Sequence, residues 1–166
     1  HPDEKKVIGE FAATLIDEGD IVFVNSGTTA TQVLQHIPRN PRITVFTNNA
    51  SALVDIGDPG FSLNLTGGEF QARSNSLSGR FALDNLNLVF ANKAILGVDG
   101  ISLKHGLTVP TNPEAEVVRK MLERTKGQVI IVSDHSKWGA VSNFHVANID
   151  AMDKLVTDTG FSKQAK

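Results

Sequence analysis

The sequence predicts a three-layer α/β domain built on a mostly parallel β-sheet. Short runs of almost continuously apolar residues recur along the chain, which is typical of parallel strands covered on both faces. Between several of these runs, apolar residues recur with the spacing of an amphipathic helix. Small, polar or charged residues follow the runs, and in such a sheet ligands bind beyond the carboxyl ends of the strands.

Helices and strands alternate from the start of the chain. Apolar residues at 7–16 lie on one helical face, and Gly19 ends that helix. The run DIVFV at 20–24 predicts the first strand. Helical spacing returns at 30–37, and the β-branched run RITVFT at 42–47 predicts the next strand.

The remainder of the chain continues this alternation. Further strands are predicted at 61–65, 93–98, 128–133 and 154–158. Helical spacing predicts a short helix at 50–56 and a longer one at 113–125. Because ligands bind beyond the carboxyl ends of such strands, a site is expected among the segments NSGTT, TNN, TGGE, GVDG and SDHSK.

Length and charge restrict the function. The 166 residues suit one domain, spanning 1–166. The 16 lysines and arginines are balanced by 18 acidic residues, so no net positive field attracts the chain to DNA. No apolar run is long enough to cross a bilayer. We therefore expect a domain that binds neither DNA nor a membrane by itself.

The absence of cysteine restricts the chemistry further. It excludes disulfides, thiolate catalysis and thiolate metal sites. The five histidines lack the spacings H-x-x-x-H and H-E-x-x-H, so we predict no metal site, and we expect no cofactor. No secretion leader is visible, and we expect a cytoplasmic protein. The opening HPDEKK is typical of a linker that runs into a helix, as in a piece of a longer protein.

The segment NSGTT at 25–29 is the first candidate for a binding site. Ser26, Gly27, Thr28 and Thr29 lie between a strand and a helix, where backbone N–H groups, the helix dipole and hydroxyls favour a phosphate. The alternative is that a hydroxyl merely caps the helix while Gly27 makes the turn. The chain has neither a Walker loop nor the dinucleotide motif G-x-G-x-x-G, which argues against nucleotide binding.

Glycines and an aspartate follow two later strands. Gly67 and Gly68 would let a ligand approach the backbone closely, or they simply turn the chain. Asp99 and Gly100 follow another strand. A carboxylate there suits the hydroxyls of a sugar, but a plain turn explains it equally well.

Two charged residues complete the predicted edge. Glu114 lies in the first turn of a helix that Asn112 and Pro113 are expected to cap, and capping alone would explain its carboxylate. Lys137 would bring an ammonium group to the same edge as NSGTT, and the alternative is a solvated surface lysine. The adjacent residues 134–136 read Asp-His-Ser, but consecutive side chains diverge, so we reject a hydrolase triad.

Each of these signals has an ordinary structural explanation when it is taken alone. They converge, however, on one edge of one sheet. Together they predict a small, anionic, hydroxyl-rich ligand such as a sugar phosphate.

Seven motifs follow one another along the chain: NSGTT, TNN, GG, LGVDGI followed by GLT, PEAEVVRKML, SDHSKWG and DKLVTD. In order and spacing they resemble the C-terminal sensor domain of the DeoR family of bacterial transcriptional repressors. The resemblance extends from EKKVIGEFAATLIDEGD to LVTD, almost the whole chain. It implies a single effector-binding domain over 1–166, with the Rossmann-like fold of ribose-5-phosphate isomerase and the CoA transferases.

The resemblance also implies a function. Domains of this family sense a phosphorylated sugar, so the chain would be the effector domain of a regulator of carbohydrate metabolism rather than an enzyme. DNA would be bound by an N-terminal winged helix-turn-helix that is absent from this chain. The resemblance further implies a homo-oligomer, either a dimer or a tetramer.

Individual residues are assigned by the same resemblance. The phosphate would be held by Ser26, Gly27, Thr28, Thr29 and Lys137. The sugar would be lined by Asn48, Gly67, Gly68, Asp99, Gly100 and Glu114. Two positions depart from the family pattern. Asn25 stands where many members have Asp, and Arg80 stands where Pro is common; we expect Arg80 to be a surface residue.

Two rival hypotheses are compatible with the residue types. An aldose–ketose isomerase would use Glu114 or Asp99 as the base and Lys137 to stabilise the enediolate. A structural dimerisation module with a vestigial pocket would respond to no ligand. The family resemblance favours the sensor over both.

Overall fold

A computed structural model describes residues 2–158 of the chain. The helices are α1 (Pro2–Ala13), α2 (Thr28–His36), α3 (Ala52–Ile56), α4 (Gly79–Leu86) and α5 (Asn112–Glu123). The strands are β1 (Ile21–Val24), β2 (Thr44–Thr47), β3 (Ser62–Leu65), β4 (Glu69–Gln71), β5 (Ser76–Ser78), β6 (Ala91–Gly97), β7 (Gly100–Ser102), β8 (Gly106–Val109), β9 (Thr125–Val132), β10 (Phe144–Ala147) and β11 (Lys154–Val156). Short 3-10 helices lie at His135–Lys137 and Ile149–Ala151. Within 2–158, no helix combines the length and the apolar character needed to pass through a bilayer.

The central sheet has six parallel strands in the order β11-β9-β6-β1-β2-β3. Both faces of this sheet are covered. In β1, Val22 and Val24 join a core shared with α1 and α2, whereas Phe23 between them joins a core shared with α5. The fold is therefore the three-layer α/β architecture that the sequence predicts.

The chain fills this sheet from the middle outwards. On one side of β1 come β2 and β3, and the chain then crosses to the other side, where β6, β9 and β11 follow. The strand order thus reverses between β1 and β6. Such a reversal leaves a crevice beyond the carboxyl ends of the two strands, which is where open α/β sheets bind their ligands.

The predicted strands of the central sheet are all present, with ends displaced by at most three residues. Helix α1 differs more, because it begins at Pro2 although its apolar stripe begins only at residue 7. Asp3 and Glu4 lie in its first turn, where carboxylates stabilise the positive end of a helix dipole.

Six short elements escape the sequence analysis. They are β4 and β5, which form an antiparallel hairpin, α4, and the antiparallel strands β7, β8 and β10. The sequences of these strands, EFQ, SLS, GIS, GLTV and FHVA, interrupt their apolar residues with polar residues or glycine, so they lack the continuous apolar run that marks most central strands. The strand β9 also begins at Thr125, where the sequence predicts the end of the preceding helix.

Candidate functional site

A cavity of about 350 Å³ opens where the strand order reverses. Its wall comes from the β1–α2 turn, the ends of β2 and β6, the β4–β5 loop, the start of α5 and the segment after β9. This volume lies within the usual range for small-molecule sites, about 300–1,000 Å³. The cavity brings together eight of the predicted site residues: Ser26, Gly27, Thr28, Thr29, Asn48, Asp99, Glu114 and Lys137.

The segment Ser26–Thr29, called the cradle below, forms the turn before α2 and the first two residues of that helix. Gly27 is the N-cap residue, and its φ of 116° is one that residues other than glycine rarely adopt. No side chain caps this helix, so the alternative of an ordinary hydroxyl cap does not describe the geometry. The amide of Thr31 donates to the Gly27 carbonyl at 2.9 Å and begins the helical ladder. The N–H groups before it have no intrahelical acceptor, and the helix dipole makes this end suited to an anion.

Two lysines bring positive charge to the cavity, and one of them contacts the cradle. Lys137, in the 3-10 helix after β9, lines the cavity. Lys5 reaches in from α1 and donates a hydrogen bond to Thr28 Oγ1 over 2.7 Å. Lys5 could not be assigned to the site from the sequence, because the apolar spacing of α1 does not indicate which of its polar residues contacts a turn 23 positions later.

Asn48, at the end of β2, is almost completely buried, with 1% of its surface exposed. Its Nδ2 donates to the Leu77 carbonyl over 3.1 Å, which fixes the orientation of the amide. Among residues 2–158, its Oδ1 finds no hydrogen-bond donor. A buried acceptor left in this state costs about 1–3 kcal/mol. A hydroxyl or N–H group of a ligand in the cavity could supply the missing donor.

Glu114 belongs to a capping box at the start of α5. The N-cap is Thr111 rather than Asn112, and Pro113 lies in the first turn as expected. Thr111 Oγ1 accepts from the Glu114 amide at 3.4 Å and donates to Glu114 Oε2 at 2.8 Å. The capping role considered from the sequence is therefore present, and the same carboxylate also faces the cavity.

The carboxyl groups in the cavity wall are harder to ionise than usual. Burial raises the pKa of Glu114; hydrogen bonding to Thr111 opposes this, and the charge of Asp99 reinforces it. The pKa of Asp99 is also raised, because the surrounding protein restricts the hydration of its carboxylate although much of the residue is exposed. Lys137 and Lys5 oppose that rise. Carboxyl oxygens in this position can accept hydrogen bonds from the hydroxyls of a ligand.

Asn25 joins β1 and β6, the two strands between which the strand order reverses. Its Nδ2 donates to the Gly97 carbonyl at 2.9 Å, and its Oδ1 accepts from the Gly97 amide at 2.8 Å. Asn25 also lines the cavity. The role that the sequence left undecided at this position is thus to hold the ends of β1 and β6 together beneath the cavity.

Three predicted residues do not line the cavity, namely Gly67, Gly68 and Gly100. A Cβ atom on Gly68, whose φ is 114°, would collide with the Ser78 carbonyl. A Cβ atom on Gly100 would collide with the Ala140 carbonyl. Two of these glycines thus allow the chain to approach itself closely, and the structure brings none of the three to the sugar end proposed for them.

Arg73 lines the cavity, although the sequence analysis drew attention to Arg80 instead. Arg73 lies in the β4–β5 loop, and its charge lowers the pKa of Glu114, against the stronger effect of burial. The side chain of Arg80 is 89% exposed and faces Asp84 at 3.5 Å, so Arg80 is the surface residue expected. The sequence of the hairpin that carries Arg73 shows neither helical spacing nor an apolar run. Its residues could therefore not be assigned to the site from the sequence.

His135 faces carboxylates from distant parts of the chain. Its Nδ1 lies 2.9 Å from Asp158 Oδ2 and 3.9 Å from Glu4 Oε2. Ser136 Oγ donates to Asp134 instead, in agreement with the rejection of a triad. The ligand atoms of Glu4, His135 and Asp158 lie within 4.8 Å of one another, a grouping that no sequence spacing reveals. The short ion pair accounts for the grouping, and we assign it no metal.

The structure is an α/β domain with the fold of ribose 5-phosphate isomerase and a cavity at the reversal of the strand order. The chain superposes on ribose 5-phosphate isomerase from Plasmodium falciparum with a TM-score of 0.58, over 83% of this chain and 53% of that one, at 15% identity. It superposes on eIF2B delta from Chaetomium thermophilum with a TM-score of 0.63, over 92% and 54% of the two chains, also at 15% identity. At these identities the likeness concerns the fold alone, and it confirms the fold class predicted from the sequence.

Sequence comparison narrows this class to a family. The model of the DeoR C-terminal sensor domain matches residues 1–159, and the chain belongs to this family. It is 35% identical over 157 residues to the HTH-type transcriptional repressor GlcR of Bacillus subtilis (strain 168), covering 94% of this chain and 60% of the relative. It is 29% identical over 154 residues to the HTH-type transcriptional regulator GlpR of Haloferax volcanii, covering 93% and 60%.

The chain thus spans about three fifths of the length of these curated relatives. The chain is therefore a sensor domain of the DeoR type. Its relatives are named as regulators of transcription, in agreement with the prediction of a sensor rather than an enzyme.

Proposed function

We propose that this sensor domain binds a phosphorylated sugar in the cavity between the ends of β1 and β6. Binding would control the attachment to DNA of a winged helix-turn-helix carried elsewhere in the full-length regulator. The helix-turn-helix in the names of the relatives, which are longer than this chain, supports such a partner domain. The genes controlled would serve carbohydrate metabolism, and the regulator would act in the cytoplasm.

The observation that carries the proposal is the composition of one end of the cavity. The cradle presents N–H groups at the positive end of α2, and the ammonium groups of Lys5 and Lys137 line the same cavity. A phosphate needs several donors and a compensating charge, and this end of the cavity offers both.

The rest of the cavity suits hydroxyl groups. Asn48 Oδ1 needs a donor, and the carboxyls of Asp99 and Glu114 have raised pKa values. The oxygens of these groups can accept hydrogen bonds from hydroxyls. A phosphorylated sugar, with one strongly anionic end and several hydroxyls, matches both ends of the cavity.

The response to the ligand would be a change in the arrangement of subunits. We propose that the chain forms a homo-oligomer, either a dimer or a tetramer, with two arrangements of its subunits. The bound ligand would stabilise one arrangement relative to the other. The exposed side chains of Phe70 on β4 and Phe81 on α4 support an interface on that side of the molecule. Such apolar surface is favourable to cover with a second subunit.

Thermal unfolding with matched pairs of sugars tests the proposal. We expect at least one of glucose 6-phosphate, fructose 6-phosphate and ribose 5-phosphate to raise the unfolding midpoint, while glucose, fructose and ribose do not. A ligand at about 100 times its Kd adds about 2.7 kcal/mol to the free energy of unfolding. The proposal would be contradicted if the free sugars raised the unfolding midpoint as much as the sugar phosphates do. It would also be contradicted if none of the six compounds raised it.

Two lysine variants localise the effect. Lys137→Met removes a charge from the cavity wall and should abolish most of the midpoint shift, because the phosphate loses a charged donor. Lys104→Met is the matched control, since Lys104 is exposed and does not line the cavity. A shift that Lys137→Met leaves intact would place the phosphate somewhere other than at the cradle.

A further inference from the structure

The outer side of α4 carries exposed apolar residues beside two opposite charges, and we infer that this surface joins two copies of the chain across a two-fold axis. The inference rests on the homo-oligomer of the proposed function, for which it names the surface and the arrangement of the helices. The surface, called the α4 face below, consists of Arg80, Phe81, Asp84 and Leu88.

The apolar residues of the α4 face lie on one side of the helix. Phe81 is 74% exposed, and Leu88, two residues beyond the end of α4, is 82% exposed. The Leu88 amide donates to the Asn85 carbonyl at 3.1 Å, so the chain keeps turning in the helical sense as far as Leu88. Residues seven apart lie on the same side of a helix. Covering them with a partner removes apolar surface from water, and a phenylalanine contributes a large part of such a contact.

The charges of the α4 face lie one helical turn apart. Arg80 Nε is 3.5 Å from Asp84 Oδ2, and the two side chains are 89% and 59% exposed. An ion pair this exposed contributes little to the stability of a single chain. Its partners are therefore free to be exchanged for those of another molecule at little cost.

The pattern of charge is complementary to itself. A two-fold contact uses the same patch on both copies, so the patch has to match its own rotated image. Arg80 and Asp84 lie two residues to either side of Ala82. If two α4 helices pack antiparallel with the axis at the level of Ala82, Arg80 of each copy faces Asp84 of the other. The two Phe81 rings then meet beside the axis, in the offset arrangement that aromatic pairs prefer.

Helix α1 offers a comparable face, but its charges are placed differently. Val7 and Phe11 are exposed there, and Lys6 and Glu10 lie beside them. Glu10 Oε1, however, is 3.6 Å from His36 Nε2 of α2, so the carboxylate is directed towards its own chain. The α4 face therefore fits a second copy better, and α1 provides a control.

The hairpin β4–β5 connects the α4 face with the cavity. Gly68, just before β4, lies against α4, since an added Cβ would be 3.0 Å from Ala82 Cβ. Phe70 on β4 is 59% exposed, and the loop of the same hairpin brings Arg73 to the cavity wall. A contact that covers α4 and Phe70 thus involves an element that also forms one side of the cavity, which gives a bound ligand a route to the subunit contact.

Sedimentation of the ligand-free chain over a series of concentrations tests the surface. We expect the wild type to form a dimer, or a larger species built from that dimer. Phe81→Ser should raise the dissociation constant of the two-fold contact by about 100-fold or more, because each dimer loses two buried aromatic side chains. Phe11→Ser is the matched control and should change this constant by less than about twofold, since Phe11 is exposed on α1, outside the α4 face.

Charge reversal tests the arrangement of the two helices. The single variants Arg80→Glu and Asp84→Arg each bring like charges together and should weaken self-association by about 10-fold or more. Mixed in equal amounts, the two variants should associate with each other about as tightly as the wild type does with itself, because an acidic α4 face then meets a basic one. Recovery on mixing also shows that both variants are folded.

The outcomes separate this inference from the proposal on which it rests. A wild-type oligomer that Phe81→Ser leaves intact, or a mixture that associates no better than either charge variant alone, would overturn the α4 contact and leave the homo-oligomer in place. Dissociation by Phe11→Ser instead would move the contact to α1 and overturn it as well. A wild type that stays monomeric throughout would overturn both the α4 contact and the homo-oligomer, whereas the binding of sugar phosphates is decided separately by thermal unfolding.

Discussion

At the scale of single residues, Asn25 has the clearest structural role in the site. One amide side chain satisfies both the N–H and the carbonyl of Gly97, 72 positions later in the chain. The residue is 4% exposed, so water cannot readily replace it. Asn25 therefore fixes the separation of β1 and β6 where the cavity begins, and the neighbouring cradle is positioned by it.

Replacing Asn25 with alanine should lower the free energy of unfolding by about 1–3 kcal/mol, because two buried backbone groups lose their partner. Chemical denaturation measures this change. Asn143→Ala is the control, since Asn143 is exposed, and it should change stability by less than about 0.5 kcal/mol. Equal stability of the two variants would show that Gly97 finds other partners.

The residues of the cradle could be located from the sequence, whereas two of the charged residues that line the same cavity could not. Ser26, Gly27, Thr28 and Thr29 could be found because a strand, a glycine turn and a helix follow one another locally. Lys5 and Arg73 could not be found, because they reach the cavity through tertiary packing. Gly67 and Gly100 were placed at the site on the strength of their position near strand ends, which does not distinguish a residue beside a ligand from one beside another strand.

At the scale of elements, α5 shows how a cap and a site share the same residues. Thr111 satisfies the Glu114 amide and holds the Glu114 carboxylate, so the start of the helix and the orientation of a cavity residue depend on one hydroxyl. The helix also contributes Val118 to the cavity wall and Met121 to the core. A disturbance of the cap would therefore reach both the core and the site.

Thr111→Ala should lower the free energy of unfolding by about 1 kcal/mol, the usual effect of losing a side-chain cap. Thr111→Ser keeps the hydroxyl and should lose much less. Denaturant titration of the ligand-free chain compares the two variants. If Thr111→Ala matched Thr111→Ser, the capping box would contribute nothing to the stability of α5.

The strands of the central sheet were predicted, and the hairpin and the small antiparallel sheet beside it were not. The central strands were predicted because burial on both faces leaves continuous apolar runs. The hairpin β4–β5 and the sheet of β7, β8 and β10 consist of three- or four-residue strands whose pairing is fixed by contacts along the folded chain. Arg73 and Ser74 belong to that hairpin, so the side of the cavity they form could not be anticipated.

At the scale of the whole molecule, charged side chains connect the start of α1 with the end of the central sheet. The hydrogen bond with Asp158 raises the pKa of His135 from its ordinary value of 6.5, although burial acts against it. Burial opposes ionisation of Asp158, but hydrogen bonds with His135 and Glu4 lower its pKa from 3.8. Burial and the neighbouring Asp158 raise the pKa of Glu4. Stability should therefore depend on pH through this cluster.

The pair of His135 and Asp158 should contribute most between about pH 4 and 6.5. The raised pKa of His135 means that its contribution is complete below 6.5 and is lost as the pH rises through the folded value. The lowered pKa of Asp158 means that its contribution is present above 3.8 and is lost as the pH falls through the folded value. The unfolding midpoint of the wild type should thus exceed that of His135→Gln most within this window. A difference that is constant from pH 4 to 9 would contradict the assignment.

The wall of the cavity at the strand reversal contains residues from both hydrophobic cores. Ala30 belongs to the core on the α1–α2 face, and Val109 and Val118 belong to the core on the α5 face, yet all three line the same cavity. A molecule held there would touch both layers across the edge of the sheet that divides them. Its binding would fasten the two halves of the domain to each other, so that loosening either half would release it.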